Sequence, residues 1–298
     1  MPTVLTLDTV TKYYGRVRAL NDVSFDVPQG SVFGILGPNG SGKTTLLSII
    51  LDVLKANKGK FLWFGQPGSN EQRKKIGSLL ETPNFYHYMS GKDNLKVTQS
   101  ISGRGSNADI DAVLQKVKLY DRRKSAFKSY SLGMKQRLAI GAALLGDPQV
   151  LVLDEPTNGL DPVGIAEIRE LMIELKDKGH TIIMASHLLD EVEKVCTHAA
   201  ILRTGDLITT GPVEEILSDD DVVEVSAADL NALANLLQQL GKSVVIDAKQ
   251  NTVLLTLPKG TAKLDDINSF CFRNGVTLTH LLAKKKRLEA RFFELTNN

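Results

Sequence analysis

The run Gly37-Pro38-Asn39-Gly40-Ser41-Gly42-Lys43-Thr44-Thr45 lies between an apolar stretch, Ser31-Val-Phe-Gly-Ile-Leu36, and a helix-like apolar run from Thr44 to Leu54. It has glycine at both places that the phosphate-loop pattern GxxxxGK[ST] requires, with Lys43-Thr44 after them. Such glycines let backbone N–H groups turn inward around phosphate oxygens, and a helix opening at Thr44 aims its positive end at them. Lys43 adds a point charge on the terminal phosphates, and the Thr44 hydroxyl suits Mg²⁺. A chance Gly-rich turn would lack the strand before and the helix after, so the context carries the reading.

Two further strand-like runs end on reactive residue types. Val150-Leu-Val-Leu153 stops at Asp154-Glu155, and Thr181-Ile-Ile-Met-Ala185 stops at Ser186-His187. An aspartate on a strand next to the phosphate strand suits Mg²⁺, held directly or through water. Glu155 beside it is then near the terminal phosphate, where a carboxylate orients or deprotonates the attacking water. A solvated strand exit is the plainer account of an Asp-Glu pair; Asn158-Gly-Leu-Asp161 immediately after it and His187 at the next strand end weigh against that. His187 differs from His87, His180, His198 and His280, which are read as structural, because it ends a strand on the sheet edge that carries Asp154 and Lys43. There it is placed to contact the γ-phosphate.

The elements that must position these residues alternate short β-rich runs with helices from Val4 to about Ser218, the pattern of a doubly wound α/β domain (residues 1–218). Polar strand ends on one side are where such sheets bind ligands. Between about Thr82 and Gly146 the chain reads as an inserted helical subdomain. In it Asn107 to Val117 carries a candidate cap and apolar residues Ile110, Val113, Leu114 and Val117 at helical spacing. Ser218-Asp-Asp-Asp221 reads as a linker. After it, residues 222–298 predict strand Val222–Ser226, helix Asp229–Leu240, strands Ser243–Ala248 and Thr252–Leu257, helix Leu264–Asn274 and strand Val276–Leu282, a ferredoxin-like βαββαβ order. A final amphipathic helix is predicted from Arg287 to Leu295.

These residues together resemble the ATP-binding subunits of ABC transporters, with the likeness running from about Leu5 to Ile216. The resemblance implies an ABC-type P-loop NTPase fold, ATP and Mg²⁺ as ligands, and ATP hydrolysis coupled to transport. Tyr14, just before Gly15, looks like the aromatic that stacks on adenine. Ser131-Leu-Gly-Met-Lys-Gln136 resembles the LSGGQ signature, with Ser131 and Gly133 in place, Leu132 for a glycine and Met134 for the glutamine. Glu81 stands where most members have glutamine, and it too offers an oxygen to Mg²⁺ or water. Both departures are similar to those of two-component exporters of drugs and antimicrobial peptides. The resemblance implies a head-to-tail pair, two copies or this chain with a related subunit. Ser131 and Gly133 of one would close over the ATP of the other, with Asp161 in the loop at the dimer interface. It also implies a separate transmembrane permease, and a cytoplasmic location on the inner face of the membrane. The aromatics of Pro83-Asn-Phe-Tyr-His-Tyr88 lie near the expected permease groove, either as interface anchors or as packing between lobes.

Bulk properties bound the alternatives. The chain has 298 residues, 42% hydrophobic and 23% charged, with a formal net charge of +2. That balance gives no reason to expect nucleic acid as a partner. No apolar run reaches the roughly 18–20 residues of a membrane span, and the first ten residues look like a strand rather than a signal peptide. Cys196 and Cys271 are far apart and read as packed, reduced thiols. Lys284-Lys-Lys-Arg287 is the most basic cluster, a solvated surface or a contact for acidic lipids. A soluble ABC ATPase of nucleic acid or the ribosome usually has two cassettes or a long coiled coil, and neither pattern occurs here. A scaffold that no longer hydrolyses ATP would not need Glu155 and His187.

Overall fold

The computed structural model describes residues 2–80, 84–217, 220–241, 243–247, 250–258 and 260–284. It divides into two compact units, Met1–Val213 and Glu214–Asn298.

The larger unit opens with the antiparallel pair β1 (Thr3–Tyr14) and β2 (Val17–Pro28), followed by β3 (Val32–Leu36) and α1 (Lys43–Ile50). Next come β4 (Lys58–Trp63), β5 (Gln66–Pro67), α2 (Asn70–Lys74) and β6 (Ile76–Leu79). Helices α3 (Gly91–Ser102), α4 (Asn107–Lys116) and α5 (Leu132–Leu144) precede β7 (Val150–Asp154). The unit closes with α6 (Pro162–Asp177), β8 (Thr181–Ser186), α7 (Leu189–Val195), β9 (His198–Arg203), β10 (Asp206–Pro212) and α8 (Val213–Leu217), whose last residues belong to the second unit. The ten strands form one sheet in the order β5-β4-β1-β2-β10-β9-β3-β8-β7-β6. Its first four strands pair antiparallel, whereas β9, β3, β8, β7 and β6 run parallel.

Every residue of β3, β7 and β8 is buried. Strands covered on both faces have no solvent side to make polar, so they read as continuous apolar runs. Leu46, Leu47, Ile49 and Ile50 of α1 share one core with Phe33, Ile35, Val152 and Ile183 of those strands. Burying each such side chain contributes about 1.5–3 kcal/mol, so the helix behind the Gly-rich loop is clamped to the sheet. Trp63 is fully buried and donates its indole N–H to the Ile50 carbonyl, 2.7 Å, satisfying an end group of α1. That helix is shorter than its sequence pattern predicts: Leu51–Leu54 leave it as turns, with Asp52 at φ 62°.

Between residues 84 and 146 the described chain holds helices and short 3₁₀ turns, with no strand. Helix α4 starts one residue earlier than a cap at Asn107 predicts, because Ser106 caps it reciprocally with Asp109. The loop before α3 hangs on Asn94, which is 1% exposed. Its Oδ1 accepts from the Tyr86 N–H (2.7 Å), and its Nδ2 donates to the carbonyls of Tyr86 (3.1 Å) and Ser90 (3.0 Å).

The smaller unit comprises β11 (Asp220–Ala227), α9 (Leu230–Leu237), β12 (Ser243–Asp247), β13 (Thr252–Pro258), α10 (Leu264–Arg273) and β14 (Leu278–Lys284). Its antiparallel sheet, in the order β12-β13-β11-β14, is the ferredoxin-like arrangement. Val223, Val225, Val253 and Leu255 share a core with Leu233 and Leu237 of α9 and Ile267 and Cys271 of α10. Element boundaries move by up to three residues. Asp220 and Asp221 begin β11 rather than ending a linker, α9 stops at Leu237, and β14 begins at Leu278. The expected helix Arg287–Leu295 and most of the basic cluster lie outside the described residues.

Replacing Asn94 by alanine removes the partner of the Tyr86 N–H and of two carbonyls. Asn94→Ala is expected to destabilise the chain by about 1–3 kcal/mol, read as a lower urea midpoint at unchanged slope. An unchanged midpoint would remove Asn94 as the clamp of this loop.

Candidate active site

The chain leaves β3 at Leu36 and enters the loop Gly37–Gly42, with Gly37 buried and Pro38, Asn39 and Gly40 exposed. Gly42 has φ 105° and caps α1, where a Cβ would stand 2.6 Å from the Ala19 carbonyl oxygen. Gly40 has φ 80° but open space around a Cβ. The first is needed for close backbone approach as well as conformation, the second for conformation alone. Ser41 is 2% exposed and its hydroxyl has no hydrogen-bond partner, an orphaned polar group within the Gly-rich loop. Thr44 is exposed and Thr45 half-buried in the first turn of α1.

Lys43 is 6% exposed and donates from Nζ to the carbonyls of Gly37 (2.8 Å) and Pro38 (3.3 Å). The same ammonium lies 3.5 Å from Glu155 Oε1. The other oxygen, Oε2, sits 2.8 Å from His187 Nδ1 and 3.4 Å from the His187 backbone N–H. One carboxylate therefore bridges the phosphate loop and the end of β8. Because a carboxylate only accepts, the ring nitrogen facing it carries the proton.

Glu155 reaches that position through a left-handed backbone, φ 47°. For a residue with a Cβ this costs on the order of 1–2 kcal/mol. Two bonds hold it: its N–H donates to Ala185 O (3.1 Å), and its carbonyl accepts from the Asn158 N–H (3.1 Å). Asp154, 6% exposed, ends β7 in register with Ala185 of β8. Here the structure corrects one expectation. β7 is not beside the phosphate strand; β8 lies between them, pairing with β3 on one side and β7 on the other. The neighbour of β3 thus delivers His187, and the next strand delivers Asp154 and Glu155.

Ser131 is exposed and caps α5, its hydroxyl accepting from the Met134 N–H at 3.3 Å. Leu132 is 50% exposed and approaches Gly159, where a Cβ would meet its side chain at 3.2 Å. Nothing crowds Gly133. Asp161 caps α6, accepting from the Gly164 N–H at 2.8 Å with Pro162 in the first turn. Tyr14 ends β1, 48% exposed, with Lys12 Nζ 5.4 Å from its ring centroid. Glu81 lies outside the described residues. The structure thus brings Lys43 and His187 each into contact with Glu155, while the hydrogen bonds of Ser131 and Asp161 stay within their own helix turns.

Other reactive residues have ordinary partners. His180 contacts the Pro148 carbonyl at 2.8 Å, and His280 lies 2.9 Å from Glu224. Both cysteines are buried and unpaired in disulfides, and burial pushes the Cys196 thiol far up. The aromatic segment splits in two. Phe85 packs edge-on against Phe127, centroids 5.1 Å apart, whereas Tyr86 and Tyr88 are 50% and 77% exposed. Among the described residues no helix is long and apolar enough to cross a membrane.

A Gly-rich loop between a buried parallel strand and a helix, an acidic strand end two strands away and a helical insertion between them define a phosphate-loop ATPase of the cassette type. The ABC transporter family model matches residues 20–158. The ABC transporter ATP-binding protein YhcH of Bacillus subtilis (strain 168) is 37% identical over 301 residues, covering 99% of this chain and 97% of its own. Bacitracin transport ATP-binding protein BcrA of Enterococcus faecalis is 32% identical, with 99% and 97% covered. Lantibiotic transport ATP-binding protein SrtF of Streptococcus pyogenes is 40% identical over 205 residues, 69% of this chain and 89% of that one. A nucleotide-free ATP-binding cassette from an ABC transporter superposes with a TM-score of 0.66 at 28% identity, over 72% of this chain and 92% of that structure. The chain belongs to the ABC transporter ATP-binding proteins, and its activity is ATP hydrolysis coupled to transport.

Gly42 and Gly40 give a paired test of the loop. Gly42→Ala is expected to weaken ATP binding roughly tenfold or more, from strain of 1–3 kcal/mol plus the carbonyl contact, and Gly40→Ala by less. Equal losses in a nucleotide titration would show that close approach at Ala19 is not the cause.

Proposed function

We propose that this chain powers export by a separate transmembrane permease, using ATP held between two ATPase subunits that close and reopen. The observation that carries the chemistry is the single carboxylate of Glu155 set between Lys43 and His187. Two transport ATP-binding relatives named for bacitracin and lantibiotics, and the variant signature around Ser131, favour export of antimicrobial peptides or drugs.

In this reading Lys43 and the backbone N–H groups between Gly37 and Thr45, Pro38 excepted, hold the phosphates, and Tyr14 stacks on adenine. Glu155 takes a proton from the attacking water as its oxygen bonds to the γ-phosphorus, while the β-phosphate leaves as ADP. His187 orients Glu155 through Nδ1–H. In the same reading its other ring nitrogen contacts the γ-phosphate. Ser131 and Gly133 close over the partner's ATP, with Asp161 at the interface between subunits.

The oxygen donors present fit Mg²⁺. No cluster of three or more His, Cys, Asp or Glu side chains forms a metal site among the described residues. A Thr44 hydroxyl and an Asp154 carboxylate, with Glu81 as a third candidate, are the few hard ligands Mg²⁺ takes when phosphate oxygens supply others. Bound there, the ion would neutralise charge developing on the phosphates. In this reading the ATPase works against its membrane partner from the cytoplasmic face.

Glu155→Gln is expected to keep ATP affinity, trap an ATP-bound dimer on gel filtration and lower hydrolysis by 10²-fold or more, the usual scale for losing a general base. Hydrolysis at the wild-type rate would remove Glu155 from that role.

The exposed pair Tyr86 and Tyr88, rings 5.9 Å apart on the loop clamped by Asn94, suits the permease interface, whereas Phe85 packs inside. The double variant Tyr86→Ala/Tyr88→Ala should lose co-purification with the permease while binding ATP normally. Phe85→Ala should lower stability instead. Full recovery of the complex with the tyrosine variant would place the contact elsewhere.

A further inference from the structure

Two of the ion pairs on helix α6 point to different sides of it. Glu167 Oε2 lies 3.6 Å from Arg137 Nη1 of α5, the helix that Ser131 caps. Two residues on, Arg169 grips Glu191 of α7 with a fork: Nη2 to Oε1 at 2.8 Å and Nε to Oε2 at 3.3 Å. Positions two apart on a helix are turned about 200° from each other, so α6 lies between the two partners. The Glu191 side chain is only 8% exposed, and a buried bidentate pair fixes direction as well as distance. Glu191 comes four residues after His187, on the helix that the His187 turn leads into. The start of α6 is Asp161, its cap.

We propose that α6 is a strut coupling the two ATP sites of the dimer. It ties the signature segment, which faces the partner's nucleotide, to the histidine that faces the subunit's own. The inference rests on the dimer and His187 roles proposed above. Closure of Ser131 and Gly133 on the partner's ATP tilts α5; Arg137–Glu167 passes the tilt to α6; Arg169–Glu191 passes it to α7 and the His187 ring. Arg137, Glu167, Arg169 and Glu191 touch no substrate and are positioning residues. A network of packed charges carries such coupling only if it has two arrangements, which the open and closed dimer would provide.

A mutant cycle on the full-length chain tests this. Replacing both members of an ion pair by apolar side chains leaves no uncompensated charge behind, so the variants are Arg169→Met/Glu191→Met, Arg137→Met/Glu167→Met and the combination of all four. Each pair is expected to lower kcat for ATP roughly tenfold, the scale of intersite couplings, with KM for ATP within about twofold and thermal unfolding unchanged. The fourfold variant should be no worse than either pair, since a strut cut twice is cut once. Additive losses, or wild-type kcat in the folded pairs, would overturn the strut. If a Met pair fails to fold, Arg169→Lys keeps the charge and loses the fork; it should lower kcat severalfold, and wild-type kcat there overturns the proposal equally. His187→Ala separates the levels. If it is inactive while the pairs hydrolyse normally, the strut alone is wrong. If it hydrolyses normally, the His187 role fails and the strut with it.

Discussion

The site depends on the register of three parallel strands. Leu36 at the end of β3 is level with Ser186 at the end of β8, and Asp154 at the end of β7 is level with Ala185. Backbone hydrogen bonds between buried strands cannot slip by one residue without turning every side chain to the other face. The Gly-rich loop, His187 and the Asp154-Glu155 pair are therefore delivered to one edge by the core itself. Helix α1 is held from below by the same core, so the loop's N–H groups do not have to be ordered when phosphate arrives. The cost is paid locally, in the left-handed turn at Glu155. Two backbone bonds offset it, one of them to β8. Strain at a position that the surroundings over-determine is compatible with marginal overall stability because it is only one or two kcal/mol.

That arrangement makes Glu155 the electrostatic centre of the site. Its two oxygens face different partners, a lysine on the phosphate loop and a histidine on the neighbouring strand end. Lys43 in turn gives hydrogen bonds to carbonyls of the loop, so the ammonium, the carboxylate and the imidazole restrain one another. For the proton acceptor proposed above such restraint is a gain, since reorganisation is already complete before the reaction.

Much of this was legible in the sequence where one residue type has one physical use. Apolar runs ending in polar residues marked the buried parallel strands, and the lysine and glycine spacing marked the loop. Ser106 was missed as the cap of α4 because Asn107 is an equally good capping type, and only the Asp109 return bond separates them. The place of β8 between β3 and β7 could not be read, because strand order comes from tertiary packing and not from local pattern. Nor could the split of the aromatic segment: Phe85, Tyr86 and Tyr88 look alike in sequence, and Phe127, over forty residues on, decides which one is packed. Likewise Glu155 showed no sign of its positive φ, since nothing in its side chain requires one.

The same distinction applies to the charged residues of α6, which no local pattern sets apart. In sequence Glu167 and Arg169 belong to an ordinary amphipathic helix, and most such charges are solvated and contribute little. What sets Arg169 apart is the burial of its partner Glu191 and the forked geometry between them. Removing one member would leave a charge with little water, so the pair is retained as a unit. Apolar side chains of similar size would hold α6 against α7 as firmly, but they would not fix its rotation, because apolar contacts have no preferred direction. A directional contact between the helix that begins at Asp161 and the one that follows His187 is useful only if the angle between them matters. In an enzyme whose reacting groups are gathered from strand ends a few ångströms apart, it does: an error of about 1 Å in positioning can cost 10²-fold in rate.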